Sequence, residues 1–94
     1  MSIKNYQPML KELYAAILSL ETESEVELFL EDLCTIKELE SMCQRLQAAK
    51  MLLDGKTYIE IVDATEISSA TLARVSKCVR YGKGGYKAAL TKKP

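Results

Sequence analysis

Apolar residues recur at three- and four-residue steps along most of this chain, and strand-type alternation is nearly absent. Helices are therefore the regular elements from which it can build a core, and the fold class is all-α. Tyr6, Leu10, Leu13, Tyr14, Ile17 and Leu18 make one such stripe between Ile3 and Leu20, with Pro8 where a first turn tolerates it. Thr22, followed by Glu23 and Glu25, is placed to cap a second helix, because acids in a first turn complement the dipole. Its apolar face is Val26, Phe29, Leu30 and Leu33, and it stops near Cys34. Thr35 with Glu38 has capping-box spacing and opens a long third helix along Leu39, Met42, Cys43, Leu46, Ala49 and Leu53, until Asp54-Gly55 supplies a left-handed stop.

After Gly55 the elements become short. Thr57 with Glu60 repeats the capping-box spacing and starts a helix expected to bury Ile59 or Ile61 together with Val62, before a turn around Thr65 and Glu66. Ser68 or Ser69 caps the next helix, whose apolar stripe is Leu72, Val75 and Val79, while Arg74, Lys77 and Arg80 recur every three residues on a neighbouring face. Three glycines among residues 82–85 end that helix, because each costs backbone entropy. The rest reads as a short turn of helix at best and a loose basic tail. The organisation expected is one helical domain over residues 1–94: dimerisation helices in 1–55, the two short helices in 56–81 and the basic tail in 82–94.

The formal net charge of zero hides a segregation. All 13 acids lie at or before Glu66 with six of the 13 basic residues, so residues 1–66 carry −7 and residues 67–94 carry +7. Such a field seeks an anion, most simply nucleic acid. The chain holds no histidine, which removes histidine-based nucleophilic and acid/base catalysis, and its three cysteines, Cys34, Cys43 and Cys78, form no C-x-x-C pair for zinc. Their odd number and wide spacing suit buried free thiols in a reducing compartment, and no apolar run approaches the roughly 20 residues of a membrane span. A cytoplasmic, non-enzymatic protein with no metal and no resident cofactor is the expectation. The carboxylates Glu21, Glu23, Glu25 and Glu27 alternate, so they share no helix face and read as a solvated first turn.

Residues 58–75 have the layout of a helix-turn-helix. Ile61 and Val62, then Ile67, then Leu72 and Val75 hold two helices at a fixed angle, leaving Ser68, Ser69, Ala70, Thr71 and Arg74 at the exposed start of the second. That end, with Lys77 and Arg80 behind it, is the candidate DNA contact. Two positions depart from the usual pattern: Val62 stands where a small residue is common and Glu66 where glycine is common in the turn. A helical protein-interaction module that never meets DNA, or a single-stranded RNA binder using Tyr81, Tyr86, Lys83 and Lys87, are the rival readings.

The stretch Leu33-Cys-Thr-Ile-Lys-Glu-Leu-Glu, Arg45 in a long helix, Leu52-Leu53-Asp54-Gly55 and Ala70-Thr71-Leu72-Ala73-Arg74 resemble the Trp repressor family, in its TrpR-like YerC/YecD branch. The resemblance covers most of Phe29 to Tyr81. It implies an all-helical, interlocked homodimer that regulates transcription by binding double-stranded operator DNA through the helices after Gly55. In corepressor-binding members, residues matching Arg45, Thr71 and Arg74 line an indole pocket, and Thr35 is counted with them here. The glycine that follows the second arginine in those members is replaced by Val75. A branched side chain there predicts that L-tryptophan binds weakly or not at all, since overpacking of this kind costs about 1–3 kcal/mol.

Overall fold

The computed structural model describes residues 3–91, which form six α-helices and no strand. In chain order these are α1 (Tyr6–Leu18), α2 (Glu23–Leu33), α3 (Ile36–Leu53), α4 (Tyr58–Thr65), α5 (Ser69–Tyr81) and α6 (Gly85–Thr91). The chain falls into two compact units, one ending at Ile36 and the other starting at Lys37, so contacts group α3 with the short helices that follow it.

In the first unit α1 starts after Asn5 without a side-chain cap, whereas the start of α2 follows local chemistry. The Thr22 hydroxyl accepts from the Glu25 amide at 3.1 Å, and the Glu25 carboxylate accepts from the Glu21 amide at 2.7 Å, which satisfies two donors at the start of α2. Of the four acids expected to form a solvated first turn, Glu23 and Glu25 lie in it, Glu21 precedes the cap and Glu27 follows, and all four are exposed. Neither α1 nor α2 contains a buried residue.

The second unit has a core. Ala48 and Ala49 from α3, Ile61 from α4, Ile67 from the following turn, and Leu72 and Val75 from α5 are buried together, with Met51, Leu52, Val79, Tyr86 and Leu90 packed against them. The two alanines present nothing beyond Cβ, so neighbouring side chains can close on the α3 backbone. Full burial of Ile61, Leu72 and Val75 contributes about 1.5–3 kcal/mol each. α3 is closed beyond Leu53 by Gly55, whose φ of +84° is the left-handed stop its sequence predicts.

Three expectations need correction. Only Ile61 of the α4 apolar residues is buried; Ile59 is 76% and Val62 37% exposed. Residues two apart on a helix differ by about 200° in direction, so a helix that turns Ile61 inward must turn Ile59 outward, and Val62 falls at the rim. The segment after Gly82 is more than the short turn of helix expected: α6 returns Tyr86 and Leu90 to the core, contacting α5, while the loose tail expected beyond it falls on residues 92–94, outside the described range. Finally, Cys43 and Cys78 are exposed and Cys34 half-buried, because the stripes of α3 and α5 that reach the core pass through Ala48, Ala49, Leu72 and Val75 instead.

Candidate nucleic-acid interface

The first helix of the pair is held by a complete capping box. The Thr57 hydroxyl accepts from the Glu60 amide at 3.2 Å, and the Glu60 carboxylate accepts from the Thr57 amide and hydroxyl, both at 3.0 Å. These bonds, the backbone one foremost, hold the Glu60 carboxyl below its ordinary range, with Lys56 adding a smaller pull. At the other end the Thr65 hydroxyl donates to the Ile61 carbonyl at 2.8 Å and accepts from the Ile67 amide at 3.2 Å. The side-chain amide of Gln44 donates to the Thr65 carbonyl at 3.1 Å, tying the turn to α3. Sequence reading missed these last contacts: Gln44 and Thr65 are 21 positions apart, and only the folded chain brings them together.

The turn itself is three residues, Glu66, Ile67 and Ser68. Glu66 adopts φ 60°, ψ 20°, a conformation that favours glycine, and it is retained because Ile67 behind it is buried. Ser68 is the cap of α5: its hydroxyl accepts from the Thr71 amide at 3.2 Å and donates to the Thr71 hydroxyl at 2.8 Å. Thr71 is half-buried, whereas Ser69 and Ala70 face solvent.

α5 divides into two faces. Leu72, Val75 and Ser76 are buried and Val79 is partly so. Opposite them the exposed sector begins with small side chains, Ser69, Ala70 and Ala73, and continues with Arg74, Lys77 and Arg80. At 3.6 residues per turn Lys77 points away from the core, and Arg74 and Arg80 flank it by about 60° on either side. A slim leading end followed by three splayed cations can approach base edges closely while reaching phosphates on both sides. Tyr81, 81% exposed, ends this face, whereas Tyr86 is half-buried against the core; the two tyrosines have different roles. α5 ends at Gly82, whose extended backbone only glycine fits, since a Cβ there would run into the Cys78 carbonyl oxygen.

The residues grouped as a ligand pocket are not alike. Arg45 is half-buried on α3 and Arg74 is exposed on α5, while Thr35 is exposed in the unit that ends at Ile36. Val75 is 1% exposed and belongs to the same buried cluster as Ala48 and Ala49. Its branched side chain fills core space. A separate groove of about 390 Å³ opens between α4 and α5, lined by Tyr58, Ile59, Val62, Asp63, Ser69 and Leu72.

A helical unit that exposes a short capped helix, a three-residue turn and a cation-bearing second helix defines a helix-turn-helix protein. By sequence the chain belongs to the Trp repressor family, whose model, described as Trp repressor protein, matches residues 8–94. It is 46% identical over 81 residues to the uncharacterized protein YerC of Bacillus subtilis (strain 168), covering 86% of this chain and 78% of that protein. Among solved structures it is similar to a Trp repressor-type protein from Staphylococcus aureus, with a TM-score of 0.86 and 39% identity over 95% of this chain and 92% of that one. A TrpR-like protein from Eubacterium eligens ATCC 27750 matches with a TM-score of 0.84 and 41% identity, over 87% and 84% of the two chains. No helix of the described residues is long and apolar enough to cross a membrane.

Proposed function

We propose that this protein is a cytoplasmic, non-enzymatic transcriptional regulator that binds double-stranded operator DNA sequence-specifically as an interlocked homodimer. The observation that carries the reading is the exposed face of α5, where Ser69, Ala70 and Ala73 lead and Arg74, Lys77 and Arg80 follow within the +7 half of the chain. Cations placed this way release counterions from DNA, and a slim helix end fits the major groove. Ser68 and Thr71 set the start of that helix, and Ser69 offers a free hydroxyl to a base edge.

A second chain suits both parts of the molecule. α1 and α2 expose Tyr6, Met9, Tyr14, Ile17, Val26 and Leu33 without burying a residue, and a twofold pair of α5 helices would meet half-sites about 34 Å apart. Free L-tryptophan is expected to bind weakly, since Val75 fills its surroundings rather than leaving a slot.

Electrophoretic mobility with a random duplex library and a random RNA pool tests the reading. Selective retention of duplexes supports it; retention of RNA alone would favour a single-stranded RNA binder, and retention of neither a protein-interaction module. On a selected duplex, Lys77→Ala should lower the slope of log K against log salt by about 0.9, the value of one phosphate contact.

A further inference from the structure

The outward face of α4 is unusual for a helix beside a cationic reading head. Tyr58, Ile59 and Val62 are 44%, 76% and 37% exposed, and the charged group that shares the groove with them is the Asp63 carboxylate. Such a face offers a phosphate little: it brings no cation, Asp63 would be repelled, and the Tyr58 hydroxyl is the one donor among its four side chains. The same groove is also lined by Ser69, the first residue of α5, so this apolar surface is continuous with the end of α5 assigned to base edges.

The apolar feature that a DNA major groove presents is the 5-methyl group of thymine. We propose that the α4–α5 groove is a thymine-reading surface in which Ile59, supported by Val62 and Tyr58, packs against thymine methyls next to the bases met by Ser69. The proposal rests on the DNA-binding reading and adds to it the part of the sequence preference that hydrogen bonds from α5 do not supply. The groove, about 390 Å³ and open, has room for more than one methyl. Ile59 determines specificity here without contributing cationic affinity, which separates its role from that of Lys77. Asp63, excluded from phosphate, remains able to accept from a cytosine amino group at the rim.

The experiment uses the full chain and duplexes selected from the random library, compared with the same duplexes carrying deoxyuridine for every thymidine. Uracil pairs as thymine does but lacks the methyl, and covering one such group is worth roughly fourfold in affinity. The native protein should lose about fourfold for each contacted thymine. Ile59→Ala should bind the uracil duplex within about twofold of the native protein and lose most of the thymine preference; because Ile59 is largely exposed, the variant keeps the fold. Lys77→Ala should weaken both duplexes equally. Equal native affinity for thymine and uracil duplexes overturns the proposal while leaving DNA binding intact, as does an Ile59→Ala protein with the native ratio. Failure to select any duplex overturns both readings.

Discussion

The unit formed by α1 and α2 and the unit formed by α3 to α6 have similar sequence patterns and different fates. Both show regular apolar stripes. The second closes its stripe around Ala48, Ala49, Ile61, Ile67, Leu72 and Val75, whereas the first leaves Tyr6, Tyr14, Ile17 and Leu18 exposed and only half-buries Leu10, Leu13, Phe29 and Leu30. Amphipathic periodicity states that a face will be covered; it does not state by what. In the second unit, short helices and tight caps let four elements converge. In the first, two helices with one stripe each have no third element of their own to complete a core.

The largest test of this contrast is a pair of truncations. Leu72→Ala should destabilise the α3–α6 core by about 2–5 kcal/mol, read as a lowered melting temperature, because it removes a fully buried side chain and leaves a cavity in its place. Ile17→Ala, on a half-exposed face, should cost far less under dilution to monomer. An equal loss from both would erase the difference between the units.

Next in size is the effect of a charge on the uncovered face. If the α1 stripe is covered by a second chain as proposed, Ile17→Glu should leave the α5 core folded but shift sedimentation at micromolar concentration from dimer towards monomer, since a carboxylate buried in that interface is not compensated. A native protein that sediments as a folded monomer would show that the stripe of α1 serves something other than self-association.

Within the second unit, the left-handed Glu66 stores strain that a tighter turn would relieve. Glu66→Gly should stabilise by about 0.5–1 kcal/mol, the αL penalty less the entropy that glycine adds to the unfolded chain. Denaturant titration reads this, and a destabilised variant would mean that the Glu66 side chain makes a contact that matters.

The smallest effect is at the α4 cap. Glu60 has its carboxyl pKa lowered by Thr57, so its contribution is present above the ordinary carboxylate value near 4.3 and is lost as pH falls through the lower folded value. Glu60→Gln should therefore fall slightly below the native protein at neutral pH and converge with it in acid. A native–variant gap that does not change between neutral and acidic pH would place the cap's strength in geometry rather than charge.

Local sequence determined much of what positions the site. Thr57 and Glu60, Ser68 ahead of Thr71, and Gly55 are start and stop signals whose bonds reach only a few residues, so each could be recognised from spacing, and the stripe at Leu72, Val75 and Val79 identified the inner face of α5. The cationic face opposite followed from the same period. What required tertiary structure was every choice among equally apolar candidates. Ile61 rather than Ile59 is inside because α4 packs on α3 through one narrow side; Val75 is a core residue because Ala48 and Ala49 leave room for it; Tyr86 and Leu90 return to the core although glycines precede them. Gln44 meets Thr65 only once α3 and α4 have docked. The reason is one of range: caps and turns are decided by neighbours within about four residues, whereas burial is decided by whichever distant surface arrives, and a sequence read along its length records the first directly and the second only as a face awaiting a partner.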